Sequence, residues 1–235
     1  MTHNANVGDS VRSLPESVRP LGRAEMAKRL AQDIPEGWCV NLGVGIPLLV
    51  ANFLPPEREV IFHAENGVLG VGPPPPEDKI DRWLISAGKQ PITLRQGGSF
   101  VHHADSFAIV RGGHLDLCIL GSFEVAENGD IANWTTLEEG KIPAVGGAMD
   151  LAVGAKRLWV LMEHTTKDGR SRLVRHCSYP LTALGVVKRV YTNLAVLDVT
   201  ERGFEVVEIV PGMTPEALQN RTDAKLHMPE GKCIS

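Results

Sequence analysis

The sequence of 235 residues predicts an α/β protein whose open, mostly parallel sheet is flanked by helices, with a more strand-rich C-terminal half. Strand-like and helix-like segments alternate over about the first 160 residues, as in strands that are joined by crossover helices. The later segments are dominated by β-branched and apolar residues, which favour strands. Hydrophobic residues make up 43% and charged residues 22% of the chain, a composition typical of a globular protein with a substantial core.

In the first half of the chain, helices and strands are predicted from the spacing of apolar residues and from the glycines and prolines that begin or end them. Met26, Leu30 and Ile34 fall on one helical face and predict a helix over 23–34. Pro47 is well placed to open a second helix, because its missing N–H has no partner in a first turn. The other predicted elements of this half are strands over 37–45, 59–64, 91–95, 99–103 and 115–125 and helices over 47–55, 77–88 and 104–113.

The second half adds strands, and no linker composition divides the chain. We therefore predict a single domain over 21–225. Residues 1–20 are polar, contain two prolines and lack periodicity, which predicts a mobile N-terminal arm, and 226–235 are predicted as a C-terminal tail. The predicted elements here are strands over 157–162, 172–177, 186–199 and 204–210 and a short helix over 215–223.

Charge and composition exclude several classes of function. A formal net charge of −4 gives no electrostatic footprint for nucleic acid. No run of 18 apolar residues exists and the N-terminus lacks an apolar signal region, so we expect a cytoplasmic protein without a membrane span. The four cysteines lack CxxC spacing and are expected as buried reduced thiols. The adjacent His102 and His103 would face opposite ways on a strand, so no metal site is expected.

The tripeptide Glu-Asn-Gly occurs twice, and its second copy begins at Glu127. Asn-Gly between two alternating strands is a strong hairpin signal, and the sequence on both sides of this copy fits that description. Glu124, Glu127 and Asp130 cluster there, as on a solvated turn. We therefore interpret Glu127 as a surface residue of a hairpin.

The first copy begins at Glu65, the only formally charged residue of 60–76. A predicted strand enters it, but the residues that follow do not alternate, which argues against a hairpin. Open α/β sheets bind ligands at the carboxyl ends of their strands, and Gly67, Gly70 and Gly72 would let a ligand approach the backbone. A lone carboxylate in apolar surroundings is either paired through space or has a perturbed pKa. Glu65 is therefore a candidate functional residue, with an exposed turn glutamate as the alternative.

Two further glycine loops offer backbone N–H groups. The loop 41–47 follows a predicted strand and precedes a helix, where an anion can bind, but its GxGxP spacing is not the dinucleotide pattern GxGxxG. In the loop 143–156, Gly146 and Gly147 precede an apparent helix. Taken singly, each loop is more commonly an ordinary tight turn.

Taken together, these stretches resemble the β subunit of the CoA transferases that act on 3-oxo acids. The stretches "VNLGVGIPLLVANFLP", "AENGVLGVGPPP" and "VGGAMDLAVGAK" occur in the expected order, and the resemblance covers about 23–210. The pattern Glu-Asn-Gly-x-x-Gly-x-Gly of that family matches residue by residue from Glu65 to Gly72. The stretches "GKQPITL", "FVHHADSFA" and "IPAVGGAMDLA" are similar to the family members that use 3-oxoadipate and succinyl-CoA.

The resemblance implies that CoA passes from succinyl-CoA to a 3-oxo acid, first of all 3-oxoadipate, in a ping-pong reaction. Glu65 would be the nucleophile that becomes a glutamyl-CoA thioester, and the Gly146 N–H would donate to the oxyanion. CoA and succinyl-CoA would be substrates, with no permanently bound cofactor and no metal. For Asn41 a strand-end hydrogen bond and for Lys89 a solvated side chain remain alternatives. The expected substrate and CoA-binding residues are Asn41, Gly43, Gly45, Asn66, Gly67, Gly70, Gly72, Lys89 and Gly147.

The resemblance also implies a partner chain, the CoA-transferase α subunit, in a heterodimer or heterotetramer with the site at the interface. Neither nucleic acid nor a membrane is an expected partner. The alternatives are an acetoacetate or short-chain acyl CoA transferase and, outside CoA transfer, an isomerase-like or non-catalytic ligand-binding α/β protein. The group that binds a distal substrate carboxylate stays open among Arg95, Arg111, His102 and His103.

Overall fold

A ten-stranded sheet and a separate three-stranded sheet organise the chain. This computed structural model describes residues 14, 17–55, 57–140, 142 and 144–229. The strands are β1 (Cys39–Leu42), β2 (Ile61–Ala64), β3 (Val68–Val71), β4 (Leu94–Phe100), β5 (Leu117–Leu120), β6 (Glu124–Ala126), β7 (Ile131–Ala132), β8 (Leu158–Leu161), β9 (Leu173–Val174), β10 (Val187–Tyr191), β11 (Ala195–Thr200), β12 (Gly203–Ile209) and β13 (Leu226–His227). The helices are α1 (Arg23–Gln32), α2 (His103–Arg111), α3 (Ala148–Gly154) and α4 (Pro215–Gln219), with 3₁₀ segments at Ile46–Phe53 and Glu77–Lys79.

The larger sheet has the order β13-β12-β11-β10-β8-β5-β1-β2-β3-β4. Its central strands, from β10 across to β2, are all parallel. Antiparallel neighbours extend it on both sides, β3 and β4 beyond β2, and β11 and β12 beyond β10. The prediction of an open, mostly parallel α/β sheet with a strand-rich second half is confirmed.

Helices cover both faces of the parallel centre, so its strands are buried on both sides. In β5, Leu117 and Ile119 face an apolar cluster that includes side chains of α1 and of the first 3₁₀ segment. Cys118 and Leu120 face the opposite cluster, to which α2 and α3 contribute. The predicted first helix is confirmed, with the Glu25 carboxylate accepting the Gly22 N–H of the N-cap at 2.8 Å.

The helix that was predicted over 77–88 is wrong, because only the 3₁₀ turn Glu77–Lys79 forms there. Asp81 Oδ1 accepts the Trp83 N–H at 2.8 Å, and this local side-chain contact replaces a helical bond. Trp83 is 94% exposed, so no apolar face is buried that would favour a helix. The segment folds back instead, with an isolated bridge between Ile85 and Pro91.

Other boundaries differ from the predictions in ways that matter for the site. The helix predicted over 47–55 is a 3₁₀ segment, and the two short strands predicted over 91–103 form one strand, β4, that ends before His102. His102 caps α2 by accepting the Ala104 N–H at 3.2 Å, so His102 and His103 do not lie on a strand. The strand predicted over 115–125 splits into β5 and β6, which belong to different sheets.

Both ends of the described chain touch the folded body. Val18, within the segment predicted as a mobile arm, is buried in the apolar cluster to which α2 and α3 contribute. Within the predicted tail, β13 pairs with β12. Most of 1–16 and all of 230–235 lie outside the described residues, so the division into arm, domain and tail stays a prediction. No helix in the ranges the structure describes is both long and apolar enough to span a bilayer.

His164, in the loop after β8, is completely buried and bonded on both ring nitrogens. Its Nδ1 and Nε2 atoms lie 3.0 and 2.9 Å from the Oγ1 atoms of Thr192 and Thr222. Burial lowers the pKa of His164 to about 3, because an imidazolium would lose its hydration there. The folded state therefore keeps this ring neutral where the unfolded chain would protonate it.

We expect His164 to make the chain sensitive to acid. Its folded pKa lies below its unfolded value, so its contribution to stability is complete above the unfolded pKa and is lost as the pH falls. Between roughly pH 7.5 and 5, the free energy of unfolding should fall by about 2 kcal/mol through this residue alone. In His164→Gln that component is absent. Urea unfolding at the two pH values measures both proteins, and a wild-type minus variant difference that does not change with pH would contradict the expectation.

Candidate active site

Glu65 lies in a tight turn directly after β2, and the chain returns from this turn as β3. The two strands pair antiparallel, with Ala64 opposite Val68, so the prediction that this copy of Glu-Asn-Gly is not a hairpin is wrong. The alternation in β3 is hard to recognise because Gly70 occupies one of its buried positions. A Cβ at Gly70 would lie 2.9 Å from the Cα of Gly98 in β4, so a close approach of two strands requires glycine there.

Gly67 fixes the Glu65 turn against the segment that enters α2. Its φ of +111° is a backbone conformation that residues with side chains rarely adopt, and a Cβ added at this position would collide with the Val101 carbonyl oxygen. The Gly67 N–H donates to the Ala64 carbonyl, and the Val101 N–H donates to the Gly67 carbonyl, both at 2.9 Å. The position of Glu65 relative to the start of α2 is therefore set by backbone contacts.

Asn41 is the polar partner of Glu65. It lies on β1 beside β2, in register with His63, and is fully buried. Its Nδ2 atom donates to Glu65 Oε2 and to the His63 carbonyl oxygen, each at 3.2 Å. The sequence predicted that Glu65 is either paired through space or has a perturbed pKa. The contact with Asn41 matches the first of these, although the partner is an amide and not a cation.

His63 and Ser106 extend this contact into the protein. His63 Nδ1 lies 3.1 Å from Asn41 Nδ2, and His63 Nε2 lies 2.8 Å from the Oγ of Ser106 on α2. Burial lowers the pKa of His63, while the nearby charge of Glu65 acts in the opposite direction. Cys118 completes the group, with its Sγ 3.8 Å from Asn41 Oδ1, and burial raises the pKa of its thiol.

His63, Ser106 and Cys118 were not predicted from the sequence as residues of the site. A signal existed for His63, because it precedes Glu65 by two residues at the end of a predicted strand, where both side chains can share a face. Ser106 lies 43 positions from His63 and Cys118 lies 77 positions from Asn41. Neither contact has a local signature, because each forms only when α2 and β5 pack against β1 and β2.

A cavity of about 460 Å³ opens beside Glu65. Its wall is mostly apolar, and besides Glu65 the charged side chains that line it are Arg58 and Arg95. Arg58 Nη1 donates to carbonyl groups at the end of α1, whereas Arg95 Nη1 donates to the Val60 carbonyl at 3.1 Å. The main apolar and glycine contributions to the wall are Leu42, Leu48, Phe62, Ala64, Val71, Gly72, Pro73, Pro74, Gly88 and Ile92.

The predicted binding residues divide into those near Glu65 and those engaged elsewhere. Gly72 lines the cavity, and the Asn66 Nδ2 donates to the Ile85 carbonyl at 2.8 Å, which ties the turn to the loop over the cavity. Lys89 is exposed, has a φ of 61° and does not line the cavity.

The loop between β1 and the first 3₁₀ segment serves packing at one of its glycines. The Gly43 N–H already donates to the Ile119 carbonyl at 2.8 Å, and a Cβ at Gly43 would lie 2.9 Å from Leu120 Cδ2. Gly45 is exposed with a φ of +98° and directly precedes the 3₁₀ segment. Close packing therefore accounts for Gly43 without a ligand.

Gly146 and Gly147 lie at the start of α3, away from the cavity wall. Gly146 is exposed with a φ of +53°. Gly147 packs on α2, since a Cβ there would lie 2.7 Å from Phe107 Cζ, and Phe107 follows the Ser106 that contacts His63. The loop is therefore linked to the Glu65 turn through α2, and the oxyanion role of Gly146 stays a prediction.

The second Glu-Asn-Gly copy forms the turn between β6 and β7, so the predicted hairpin at Glu127 is confirmed. The interpretation of Glu124 as a solvated residue is wrong. Glu124 is buried, and its carboxylate accepts the Ser178 N–H at 2.6 Å and the Ser178 hydroxyl at 2.7 Å. Its role is to anchor the segment that follows β9.

The thiols and the potential metal ligands remain separate from one another. In the described part of the chain, no three side chains of His, Cys, Asp or Glu are grouped to hold a metal ion. Cys39, Cys118 and Cys177 are free thiols, and Cys233 lies outside the described residues. Burial raises the pKa of Cys39 to about 11 and that of Cys177 to about 12, so neither is a thiolate at neutral pH.

Comparison with known proteins gives the class of this fold and site. Residues 23–220 match the family model described as Coenzyme A transferase. The chain belongs to this coenzyme A transferase family, which confirms the resemblance carried by the Glu-Asn-Gly motif and the glycine loops.

Within that family, two curated relatives match nearly the whole of their own length. The chain is 55% identical over 208 residues to the B subunit of the 3-oxoadipate CoA-transferase of Pseudomonas putida, with 88% of this chain and 97% of that protein covered. It is 45% identical over 206 residues to the B subunit of the succinyl-CoA:3-ketoacid coenzyme A transferase of Helicobacter pylori, with 88% and 99% covered.

A solved structure of low sequence identity shares the fold. The acyl-CoA transferase YdiF from Escherichia coli O157:H7 superimposes with a TM-score of 0.69 at 21% identity. The match covers 91% of this chain and 43% of that one, so this chain spans less than half of that protein's length. At this identity the similarity shows the fold alone.

The Gly67 turn provides a direct test of the backbone geometry at the site. We expect Gly67→Ala to lower the free energy of unfolding by more than about 3 kcal/mol. The positive φ alone costs a non-glycine residue about 1–2 kcal/mol, and the collision of the new Cβ with the Val101 carbonyl adds to that cost. Gly97→Ala is the matched control, since Gly97 has a φ of +83° and no atom within 4 Å of its Cβ position. Urea unfolding of both variants measures the difference. Equal losses for the two would show that the Val101 contact does not constrain the turn.

Proposed function

We propose that this chain is the β subunit of a 3-oxoadipate CoA transferase that moves CoA from succinyl-CoA to 3-oxoadipate. The observation that carries the proposal is Glu65, a half-buried carboxylate held by the Asn41 amide at the edge of a largely apolar cavity. The 55% identity to a protein named as the B subunit of a 3-oxoadipate CoA-transferase supports the choice of substrate.

The chemistry needs a carboxylate nucleophile. Glu65 attacks the acyl carbonyl of succinyl-CoA, which forms a mixed anhydride and releases CoA thiolate. The thiolate then attacks the glutamyl carbonyl, so that succinate leaves and Glu65 holds CoA as a thioester. The second acid runs these two steps in reverse and restores the free carboxylate. Each acyl bond exchanges for one of comparable energy, which a serine ester would not allow, because an ester is too stable to regenerate a thioester readily.

The Asn41 contact suits this nucleophile. A neutral amide restrains Glu65 Oε2 by a hydrogen bond. An ion pair at this position would stabilise the carboxylate more strongly and so make it a weaker nucleophile. The other carboxylate oxygen stays available for the acyl carbonyl. Each attack creates an oxyanion, for which a backbone donor is worth ~3–4 kcal/mol, and we assign the Gly146 N–H to this role.

The cavity supports a pocket for the acyl part of a small acid. Its volume lies within the usual range for small-molecule sites, and its wall is largely apolar. Water would hydrolyse an anhydride or a thioester, so a pocket that limits water protects both intermediates. Pro73 and Pro74 give one wall a stiff backbone with no N–H to donate. CoA enters as a substrate, and we propose no permanently bound cofactor.

We further propose Arg95 as the group that binds the distal carboxylate of 3-oxoadipate. Arg95 lines the cavity that Glu65 borders. The other candidates do not line it and are engaged elsewhere, since Arg111 forms two hydrogen bonds with Asp150, His103 stacks on Phe107 and His102 caps α2. A guanidinium binds a carboxylate through parallel N–H donors, which fits a dicarboxylic acid.

An α-subunit partner completes the proposed enzyme. The curated relatives from P. putida and H. pylori are both named as the B subunit of their enzyme. We propose that the site is complete only in the heteromer, where the partner supplies a second oxyanion donor.

The H. pylori relative is named for 3-ketoacids in general, so one alternative within the family is a transferase that uses acetoacetate or another short-chain acid. The two substrates differ in their second carboxylate. Initial rates with 3-oxoadipate and acetoacetate as competing acceptors decide between them, and a higher kcat/KM for acetoacetate would replace the proposed substrate.

Borohydride trapping tests the nucleophile. When the complex with its α-subunit partner is treated with succinyl-CoA and borohydride, we expect inactivation and reduction of the thioester to an alcohol at Glu65. Glu65→Gln should lower kcat by roughly 10⁴-fold or more and prevent the modification, because the covalent route is lost. Glu127→Gln is the matched control and should behave as the wild type. Peptide mass spectrometry locates the change, and modification at Glu127, or of the isolated chain, would refute the nucleophile or the need for a partner.

Arg95→Met tests the distal carboxylate. We expect KM for 3-oxoadipate to rise about 10- to 100-fold, the equivalent of one lost charge-assisted hydrogen bond pair, with KM for acetoacetate unchanged. Arg111→Met serves as the control cation. Steady-state kinetics at saturating succinyl-CoA measure both acceptors, and an equal rise for the two acids would assign Arg95 a structural role instead.

A further inference from the structure

We propose that His63 is a positioning residue for Glu65: as the neutral Nε2–H tautomer it donates to Ser106, and its Nδ1 atom accepts from the Asn41 amide and helps to hold that amide against the carboxylate. This inference rests on the proposed function, in which Glu65 is the nucleophile. It adds a role for two residues, His63 and Ser106, that do not themselves touch the reacting atoms.

The orientation of the Asn41 amide follows from its neighbours. One terminal atom lies 3.2 Å from both Glu65 Oε2 and the His63 carbonyl oxygen, neither of which can donate. That atom must therefore be the amide nitrogen. The other terminal atom, Oδ1, lies 3.8 Å from Cys118 Sγ, which can donate to it. Both ends of the amide agree on a single orientation.

The tautomer of His63 follows from that orientation. The Asn41 nitrogen shares its two hydrogens among three acceptors and has no lone pair to accept, so His63 Nδ1, at 3.1 Å, must be the unprotonated nitrogen. The proton of the neutral ring then lies on Nε2 and is donated to Ser106 Oγ at 2.8 Å. A proton on Nδ1 would place two donors against each other and turn Asn41 away from Glu65.

The burial of this group makes the arrangement rigid. Asn41, Ser106 and Cys118 have no exposed surface, and His63 is 3% exposed, so the contacts among these side chains are shielded from bulk water. Burial also lowers the pKa of His63, which favours the neutral ring that the geometry requires. The contacts run from Ser106 on α2 to His63 on β2, then to Asn41 on β1, and from Asn41 back to Glu65 in the turn after β2.

The consequence for the reaction is geometric. Glu65 must present its carboxylate to an acyl carbonyl and afterwards present its own carbonyl to CoA thiolate and to the second acid. A displacement of about 1 Å in such a group can lower a rate by about 100-fold. Without His63 Nδ1, one of the three acceptors that hold the Asn41 amide nitrogen is lost, so the amide is less firmly held, and the defect should appear in kcat and not in the binding of either acid.

Three variants test the role in the complex with the α-subunit partner, with succinyl-CoA and 3-oxoadipate. His63→Leu should lower kcat about 10- to 100-fold with KM nearly unchanged, as for other residues that orient a reacting group. His63→Asn retains an acceptor near the Nδ1 position and should recover most of the loss. Ser106→Ala should lower kcat by a smaller factor. His164→Leu is the matched control, since His164 is equally buried between two hydroxyl groups and should leave kcat per folded enzyme unchanged.

Nitrogen-15 NMR of the wild-type complex, labelled at histidine, adds a reading that no destabilised variant can affect. We expect His63 as the Nε2–H tautomer, unchanged on moderate acidification. An Nδ1–H tautomer, full kcat in His63→Leu, or a His63→Asn variant as slow as His63→Leu would overturn the inference. Should His63→Leu not fold, Ser106→Ala and the NMR result decide. Glu65→Gln in the same assay separates the two proposals, because an active Glu65→Gln refutes the nucleophile itself, whereas an inactive Glu65→Gln beside an active His63→Leu refutes only the positioning role.

Discussion

The hydrogen bond between Asn41 and Glu65 is the contact on which the proposed site depends. It crosses from β1 to the turn after β2, and these two strands are parallel neighbours in the buried centre of the sheet. A parallel pair brings the carboxyl ends of its strands to one edge, so the amide and the carboxylate meet where such sheets bind ligands. The proposed nucleophile is thus held by a residue of the buried centre of the sheet, although it lies on a turn itself.

Glycines determine how closely the surrounding backbone can approach that contact. Gly67 allows the Val101 carbonyl to lie where a side chain would stand, and Gly70 allows β4 to approach β3. The same stretch that supplies the proposed nucleophile therefore also sets its distance from α2, which carries Ser106. The short β2–β3 hairpin carries Glu65, packs against β4 and contacts the segment that enters α2. These close backbone contacts account for the glycine-rich sequence around a single charged residue.

Much of the fold could be predicted from sequence, and the reasons for the failures are physical. The α1 helix follows from its helical periodicity, and the central strands follow from short apolar runs, because such strands are buried on both faces. The helix predicted over 77–88 fails because the Asp81 carboxylate accepts the Trp83 N–H and the Trp83 side chain is exposed. Glu65 was identifiable because its context is local. Ser106 was not, since its contact with His63 exists only after α2 has packed against the sheet.

The central claim is that an oxygen atom of Glu65 takes part in each transfer, and isotope exchange tests this most directly. The complex with the α-subunit partner is allowed to turn over succinyl-CoA with 3-oxoadipate whose carboxylates carry ¹⁸O. Regeneration of Glu65 through the anhydride leaves one acceptor oxygen in its carboxylate. The account predicts ¹⁸O in the peptide that contains Glu65 and none in the peptide that contains Glu127. Full turnover without ¹⁸O at Glu65 would contradict it.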